Sequence, residues 1–244
     1  MKIRVFETMH AAAVAGADIV AEEIRSRGSA VLGLPTGSTP VPLYGELIRR
    51  HRDGALDFSG VRSYNLDEYV GLDAAHPQSF RYFMDQNLFN HINIAAENAH
   101  VPSGISADPE AEMRRYDEMI VEAGGIDLQL LGIGNNGHVG FNEPDSVFHR
   151  RARVVDLTDS TIDANKRFFA RREDVPRQAV TLGVGAIMGA KKVVLLAFGA
   201  SKADAVRAMV EGEVDPRCPA SILQLHGDVT LLLDREAASK LSHV

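Results

Sequence analysis

The chain has 244 residues, 45% of them hydrophobic and 24% charged, which is enough to bury a full core. Its formal net charge of −7 argues against nucleic acid as the main partner, because duplex binding depends on cations that neutralise phosphates. A single cysteine, Cys218, excludes an internal disulfide, and no Cys/His cluster has zinc-finger spacing, so a reducing compartment and a cytoplasmic location are expected.

Taken in chain order, short apolar runs alternate with helical patterns. Ile3 to Phe6 reads as a strand, and Met9 to Arg27 as an amphipathic helix and not a signal peptide, since Asp18, Glu22 and Glu23 interrupt its apolar residues. Strand Ala30 to Leu34 precedes helix Val41 to Arg52, and strand Val61 to Asn65 precedes helix Ser79 to Asn90. Helix Pro109 to Ala123, strand Asp127 to Ile133, strand Lys192 to Phe198, helix Lys202 to Glu211 and strand Val229 to Leu233 complete the series. Most strands are continuous apolar runs, as strands buried on both faces of a parallel sheet are. The predicted fold class is therefore α/β: a three-layer α/β/α Rossmann-like fold with a mostly parallel sheet. No linker, charge block or repeat divides it, so one domain over residues 1–244 is expected. The longest apolar run, Val193 to Ala200, is too short to cross a bilayer, and no membrane partner is expected.

In such folds ligands bind beyond the carboxyl ends of the strands, which directs attention to three loops. Leu34-Pro35-Thr36-Gly37-Ser38-Thr39-Pro40 leaves a strand and opens a helix. Gly37 permits close backbone approach, Ser38 or Thr39 can cap, Pro40 suits the first helical turn, and the free N–H groups suit a phosphate; an ordinary capped turn has the same ingredients. Tyr64-Asn65-Leu66-Asp67-Glu68-Tyr69 ends another strand with adjacent carboxylates. Mutual repulsion and partial desolvation would raise one of them into the range of a general base, or the pair caps a helix N-terminus. The third loop, Gly132 to Pro144, sets four glycines around His138, with Asn135 and Asn136 before it and Asn142-Glu143 after it. Glycines at that density suit backbone that must approach a ligand, and a histidine with an amide and a carboxylate nearby suits acid/base work. Arg167 and Lys202 are basic residues placed where they can hold a phosphate dianion, or they are solvated surface charges. The cluster His149-Arg150-Arg151-Ala152-Arg153 reads as a solvated loop in preference to an anion site.

Together with Arg167-Phe168-Phe169 and Ser221-Ile222-Leu223-Gln224-Leu225-His226, these motifs resemble the glucosamine-6-phosphate deaminases in order and spacing over nearly the whole chain. The resemblance implies conversion of D-glucosamine 6-phosphate and water into D-fructose 6-phosphate and ammonium, with neither metal nor organic cofactor. It assigns ring opening to His138 with Asn136 and Glu143, and transfer of the C2 proton to C1 to Asp67. Thr36, Gly37, Ser38, Arg167 and Lys202 would hold the 6-phosphate, and a segment of about residues 159–172 would act as a lid. The partner implied is a small-molecule sugar phosphate, and the chain acts as a monomer or a homo-oligomer. Two alternatives remain. The 6-phosphogluconolactonases share the fold and phosphate loop but resemble one another in a Ser-Leu-Phe-Pro ending where this chain has Phe141-Asn142-Glu143-Pro144. A non-catalytic sugar-phosphate sensor would need a DNA-binding module, and none is recognisable before Ile3.

Two departures from the family pattern stand out. Some members have an aspartate where this chain has Asn136, so no charged partner for His138 comes from that position, although an amide can still orient the imidazole. Members activated by N-acetylglucosamine 6-phosphate have an Arg-x-Lys-Thr stretch and a longer tail, whereas here Arg153-Val154-Val155-Asp156 occupies the stretch and the sequence ends at Val244. The expected rate curve is therefore unchanged by that effector; a sigmoidal curve that the effector straightens would contradict the reading.

Overall fold

The computed structural model describes residues 1–242, without the side chains of Ser160 and Ala164. The expected domain end at Val244, and those two side chains within the expected lid segment, lie outside the described residues. In chain order the elements are β1 (Lys2–Phe6), α1 (Met9–Arg27), β2 (Val31–Leu34), α2 (Val41–Arg52), β3 (Arg62–Asn65), β4 (Asp67–Tyr69), α3 (Phe80–Asn87), β5 (Ala99–His100) and α4 (Pro109–Glu122). They continue as β6 (Leu128–Leu131), β7 (Arg153–Asp156), α5 (Asp159–Asn165), β8 (Gln178–Thr181), α6 (Val184–Met188), β9 (Lys192–Ala197), α7 (Ala203–Glu211) and β10 (Val229–Asp234).

Seven strands form one sheet in the order β1-β10-β9-β6-β2-β3-β5, with every pairing parallel. Alternate side chains feed two cores. Leu32, Leu34, Leu128 and Leu130 pack with Ala13 of α1, Leu43 of α2 and Met84 of α3. Val31, Leu131 and Val193 pack on the opposite face with Met113 of α4 and Val206 of α7. This is the two-faced burial that the continuous apolar runs predict.

Local signals set most helix ends. Thr8 accepts the Ala11 N–H at the start of α1, Ser79 accepts that of Tyr82 at α3, and Asp108 accepts that of Ala111 at α4. Two expectations need correction. Pro40 is the N-cap residue of α2 and not part of its first turn; no side chain caps that helix, and Pro42 is the proline inside it. The helix beginning after Ser79 ends at Asn87, because Leu88 turns out of helical geometry at φ −150° and Phe89–His91 forms a separate 3-10 turn.

A second, three-stranded antiparallel sheet, β4-β8-β7, was not foreseen. Its register lines up Asp67, Thr181 and Arg153, then Glu68, Val180 and Val154, then Tyr69, Ala179 and Val155. Asp67 and Glu68 thus lie on a strand of a small sheet, not in a loop. Tyr69 and Ala179 on one of its faces pack with Phe141, Leu157, Ile162 and Val175 in a third apolar cluster.

At the amino end of the large sheet a buried charge cluster ties strands to α1. Asp127 accepts the Val31 N–H at 2.8 Å and the Lys191 ammonium at 2.7 Å, with Arg27 3.2 Å away. Glu23 pairs with Lys192 at 2.8 Å and with Arg27. Burial alone pushes the Asp127 carboxyl up, but Lys191, the Val31 amide and Arg27 together hold it below the usual aspartate range. A depressed folded pKa contributes stability above the unfolded pKa and loses it as pH falls. Asp127→Asn is expected to cost about 2 kcal/mol at neutral pH, the scale of hydrogen bonds to a charged group. Denaturant titrations should show that deficit narrowing below about pH 4, where the wild-type carboxylate protonates.

Candidate active site

Because β2 lies between β3 and β6, the chain departs from β2 in opposite directions on its two sides, and the loops after β2 and β6 open onto one crevice. Those are the Thr36 and His138 loops. Their proximity is direct: a Cβ built on Gly132 would lie 4.0 Å from the Thr39 Cβ.

The His138 loop is folded around its glycines. Gly134 donates to the His138 carbonyl at 2.9 Å, and a Cβ at Gly134 would stand 2.2 Å from the imidazole, so the ring rests directly on that backbone. Gly137 has φ +85°, and a Cβ there would meet the Cys218 sulfur at 2.6 Å. The Asn136 side-chain oxygen accepts the His138 backbone N–H at 3.2 Å and stands 2.7 Å from Nδ1. The Asn136 amide nitrogen donates to Glu143 Oε2 at 2.7 Å. An ionised carboxylate offers only lone pairs, so the NH2 end of Asn136 faces Glu143 and its oxygen faces the histidine. Nδ1 therefore bears the proton, and Nε2 is left as the accepting nitrogen. Burial lowers the His138 pKa, the Glu143 carboxylate opposes that shift and Lys202 adds to it. The imidazole is accordingly neutral near pH 7, the state a proton acceptor requires.

Asn142, two residues beyond Gly140, pins the rest of the loop. It donates to Val139 O at 3.0 Å and Leu182 O at 2.8 Å, and accepts from Arg153 at 2.9 Å. The basic cluster is thereby dispersed: Arg153 supports Asn142, His149 pairs with Asp145 at 2.7 Å, and Arg150 and Arg151 line a groove beside Asp117, Glu118 and Glu122.

Asp67 and Glu68 have separate jobs. Glu68 accepts the N–H groups of Tyr69 at 2.8 Å, Phe80 at 2.9 Å and Arg81 at 3.0 Å, which makes it a cap for α3. Asp67, 6% exposed, lies under the His138 loop: a Cβ on Gly140 would sit 3.3 Å from its Oδ2 and 3.2 Å from the Thr181 hydroxyl. Desolvation, reinforced by the Glu68 charge, pushes the Asp67 carboxyl up to about 8. Of the acidic pair, Glu68 is the member that caps a helix and Asp67 the member whose carboxyl is raised.

Among the phosphate candidates, Thr36 is half-buried, while Gly37 at φ +99° and Ser38 are exposed at the open end of α2. Lys202, in the 3-10 turn Ala200–Lys202 after β9, is half-buried and close enough to depress the His138 pKa; burial lowers its own. Arg167 is not brought to this group: it is exposed, with its guanidinium 4.7 Å from the centre of the Phe168 ring. Thr161 and Thr181 are supporting residues that the sequence did not single out, since a lone hydroxyl gives no local signal; Arg153, read there as part of a solvated basic loop, is instead part-buried against Asn142.

A carboxyl whose folded pKa is raised stabilises the fold fully only below its unfolded pKa and loses that contribution as pH rises through the folded value. Relative to Asp67→Asn, the wild-type chain should therefore lose stability from about pH 4 up to about pH 8 and then level off. Melting temperatures of the two proteins measured from pH 5 to 9 test this: the gap should widen in favour of the variant, and a constant gap would contradict the desolvated carboxyl.

The profile of the family described as Glucosamine-6-phosphate isomerases/6-phosphogluconolactonase matches residues 6–232. The glucosamine-6-phosphate deaminase of Thermoanaerobacter sp. (strain X514) is 55% identical over 223 residues, covering 91% of this chain and 88% of its own length. That of Cellvibrio japonicus (strain Ueda107) is 54% identical over 244 residues, 100% of this chain and 93% of its own. The solved structure of a monomeric glucosamine-6-phosphate deaminase superposes with a TM-score of 0.95 at 44% identity, covering 98% of this chain and 100% of that one. A 6-phosphogluconolactonase from Trypanosoma cruzi shares the fold at a TM-score of 0.78 and 22% identity, covering 99% and 97% of the two chains. The chain belongs to the glucosamine-6-phosphate isomerase/6-phosphogluconolactonase family.

Proposed function

We propose that this chain converts D-glucosamine 6-phosphate and water into D-fructose 6-phosphate and ammonium, acting as one catalytic domain in the cytoplasm. The observation that carries the reading is that the loop holding the neutral His138 imidazole packs, at Gly140, against the buried carboxyl of Asp67. A cyclic amino sugar hides its carbonyl, so ring opening must precede proton abstraction beside it, and two proton carriers serve those two steps.

His138 Nε2 takes the proton of the anomeric hydroxyl and delivers it to the ring oxygen as the C1–O5 bond breaks, leaving an open-chain aldehyde. Asn136 and Glu143 hold the imidazole for that transfer. Asp67, ionised, removes the C2 proton while the C2 ammonium group gives a proton to the aldehyde oxygen, forming an enolamine; Asp67 then returns its proton at C1 to give a 2-iminium ion. Water adds to the iminium carbon, and loss of the nitrogen as ammonia, protonated in solution, leaves the ketone. A carboxyl titrating near the working pH suits a group that must both take and return one proton.

The 6-phosphate is assigned to Thr36, Gly37 and Ser38 at the uncapped start of α2 and to Lys202, which lies close enough to His138 to act on its charge. Residues 159–172 form the lid, and its closure carries Arg167 from its stack on Phe168 to the phosphate.

Purified protein incubated with glucosamine 6-phosphate should release ammonium and fructose 6-phosphate in equal amounts. Absence of both from a folded sample, or hydrolysis of 6-phosphogluconolactone in their place, would overturn the assignment. Asp67→Asn should lower turnover by at least about a hundredfold while substrate binding persists.

A further inference from the structure

The carboxylate of Glu143 is held at both ends. Oε2 takes the Asn136 amide, and Oε1 accepts the hydroxyl of Thr161 at 2.9 Å. Thr161 belongs to α5, far from the His138 loop in sequence, and its hydroxyl in turn accepts that of Thr158 at 3.0 Å. A hydroxyl has a single proton to give. With Thr158 donating to it, Thr161 directs its own proton at Glu143, so the chain of bonds runs one way: Thr158 to Thr161 to Glu143, which also receives Asn136. The orientation of α5 follows from packing. Ile162, next to Thr161, is buried with Tyr69, Phe141 and Leu157, and the Thr161 N–H is tied to the Thr158 hydroxyl at 3.2 Å.

We propose that Thr161 is a positioning residue for ring opening: through Glu143 and Asn136 its hydroxyl couples the seating of α5 to the orientation of His138. Glu143 Oε1 lies 3.6 Å from His138 Nδ1, outside hydrogen-bond reach but a short shift away from competing with Asn136 for that proton. The Thr161 hydroxyl occupies Oε1 and holds it off, leaving the Asn136 oxygen as the acceptor of Nδ1–H at 2.7 Å. When α5 departs, that restraint goes with it; when α5 seats, the imidazole is fixed with Nε2 toward the crevice. The proposal rests on the assignment of His138, Asn136 and Glu143 to ring opening.

The test compares Thr161→Val, Thr161→Ser and Glu143→Ala, with Thr161→Val also made in the Glu143→Ala background, by kcat and KM for glucosamine 6-phosphate. Thr161→Val should lower kcat by about tenfold, the scale of one hydrogen bond to a charged group, with KM and the melting temperature nearly unchanged. Thr161→Ser should recover most of the loss, and in the Glu143→Ala background Thr161→Val should cost nothing further. Wild-type kcat in Thr161→Val, an equal loss in both backgrounds, or failure of serine to rescue would overturn the proposal. Full activity of Glu143→Ala would overturn the ring-opening assignment and this coupling with it; a large loss in Glu143→Ala with none in Thr161→Val would overturn the coupling alone.

Discussion

The pairing of β2 with β3 on one side and β6 on the other is the constraint from which the site follows. Parallel strands all point their carboxyl ends to one edge, and only where the order reverses do two neighbouring loops diverge enough to leave space. At that point the helix following β2 begins without a side-chain cap, and the glycines following β6 let the His138 ring lie on bare backbone. The small antiparallel sheet then brings Asp67 up against Gly140 from a third direction. The three segments lie far apart in the chain; the reversal of strand order makes them neighbours.

Two aspartates show how local donors, not burial, set chemical character. Asp67 is 6% exposed and Asp127 5%, so the desolvation cost opposes ionisation in both. Asp127 has an amide and two cations around it and is held below the ordinary range. Among the described residues Asp67 has no hydrogen-bond donor and has the Glu68 charge beside it, and its carboxyl rises to about 8. The first clamps the amino end of the sheet; the second is strained electrostatically at the carboxyl end. Glu68, with three amide donors, stays nearer the usual range at about 6 and keeps its charge available to act on its neighbour.

The large sheet was legible because strands buried on both faces read as unbroken apolar runs, and α1 and α2 because helical spacing extended cleanly from Met9 to Arg27 and from Val41 to Arg52. The small sheet was not. Its strands are three or four residues long and mix polar with apolar residues, and Asp67 finds its partner at Thr181, with α3, β5, α4, β6, β7 and α5 between them in the chain. No local period reports such a pairing. The glycines and His138 stood out because their density is costly elsewhere, whereas Thr161 is one hydroxyl among many and owes its place to Ile162 packing beneath Phe141. Arg167 could be named from its motif, but its contact with Phe168 belongs to side-chain conformation that sequence does not encode.

The position of β1 bears on how the molecule is made. The first strand of the chain pairs with β10, the last, and has no other neighbour in the sheet. On a ribosome, Lys2 to Phe6 must wait for residues 229–234 to emerge before its hydrogen bonds can form. Meanwhile it is a short segment with a free edge, the kind of structure that recruits strands from other chains. Lys2 and Arg4, spaced on one side of it, make that edge charged during the wait. The β1 edge of the sheet is thus closed only after every other described strand has been made.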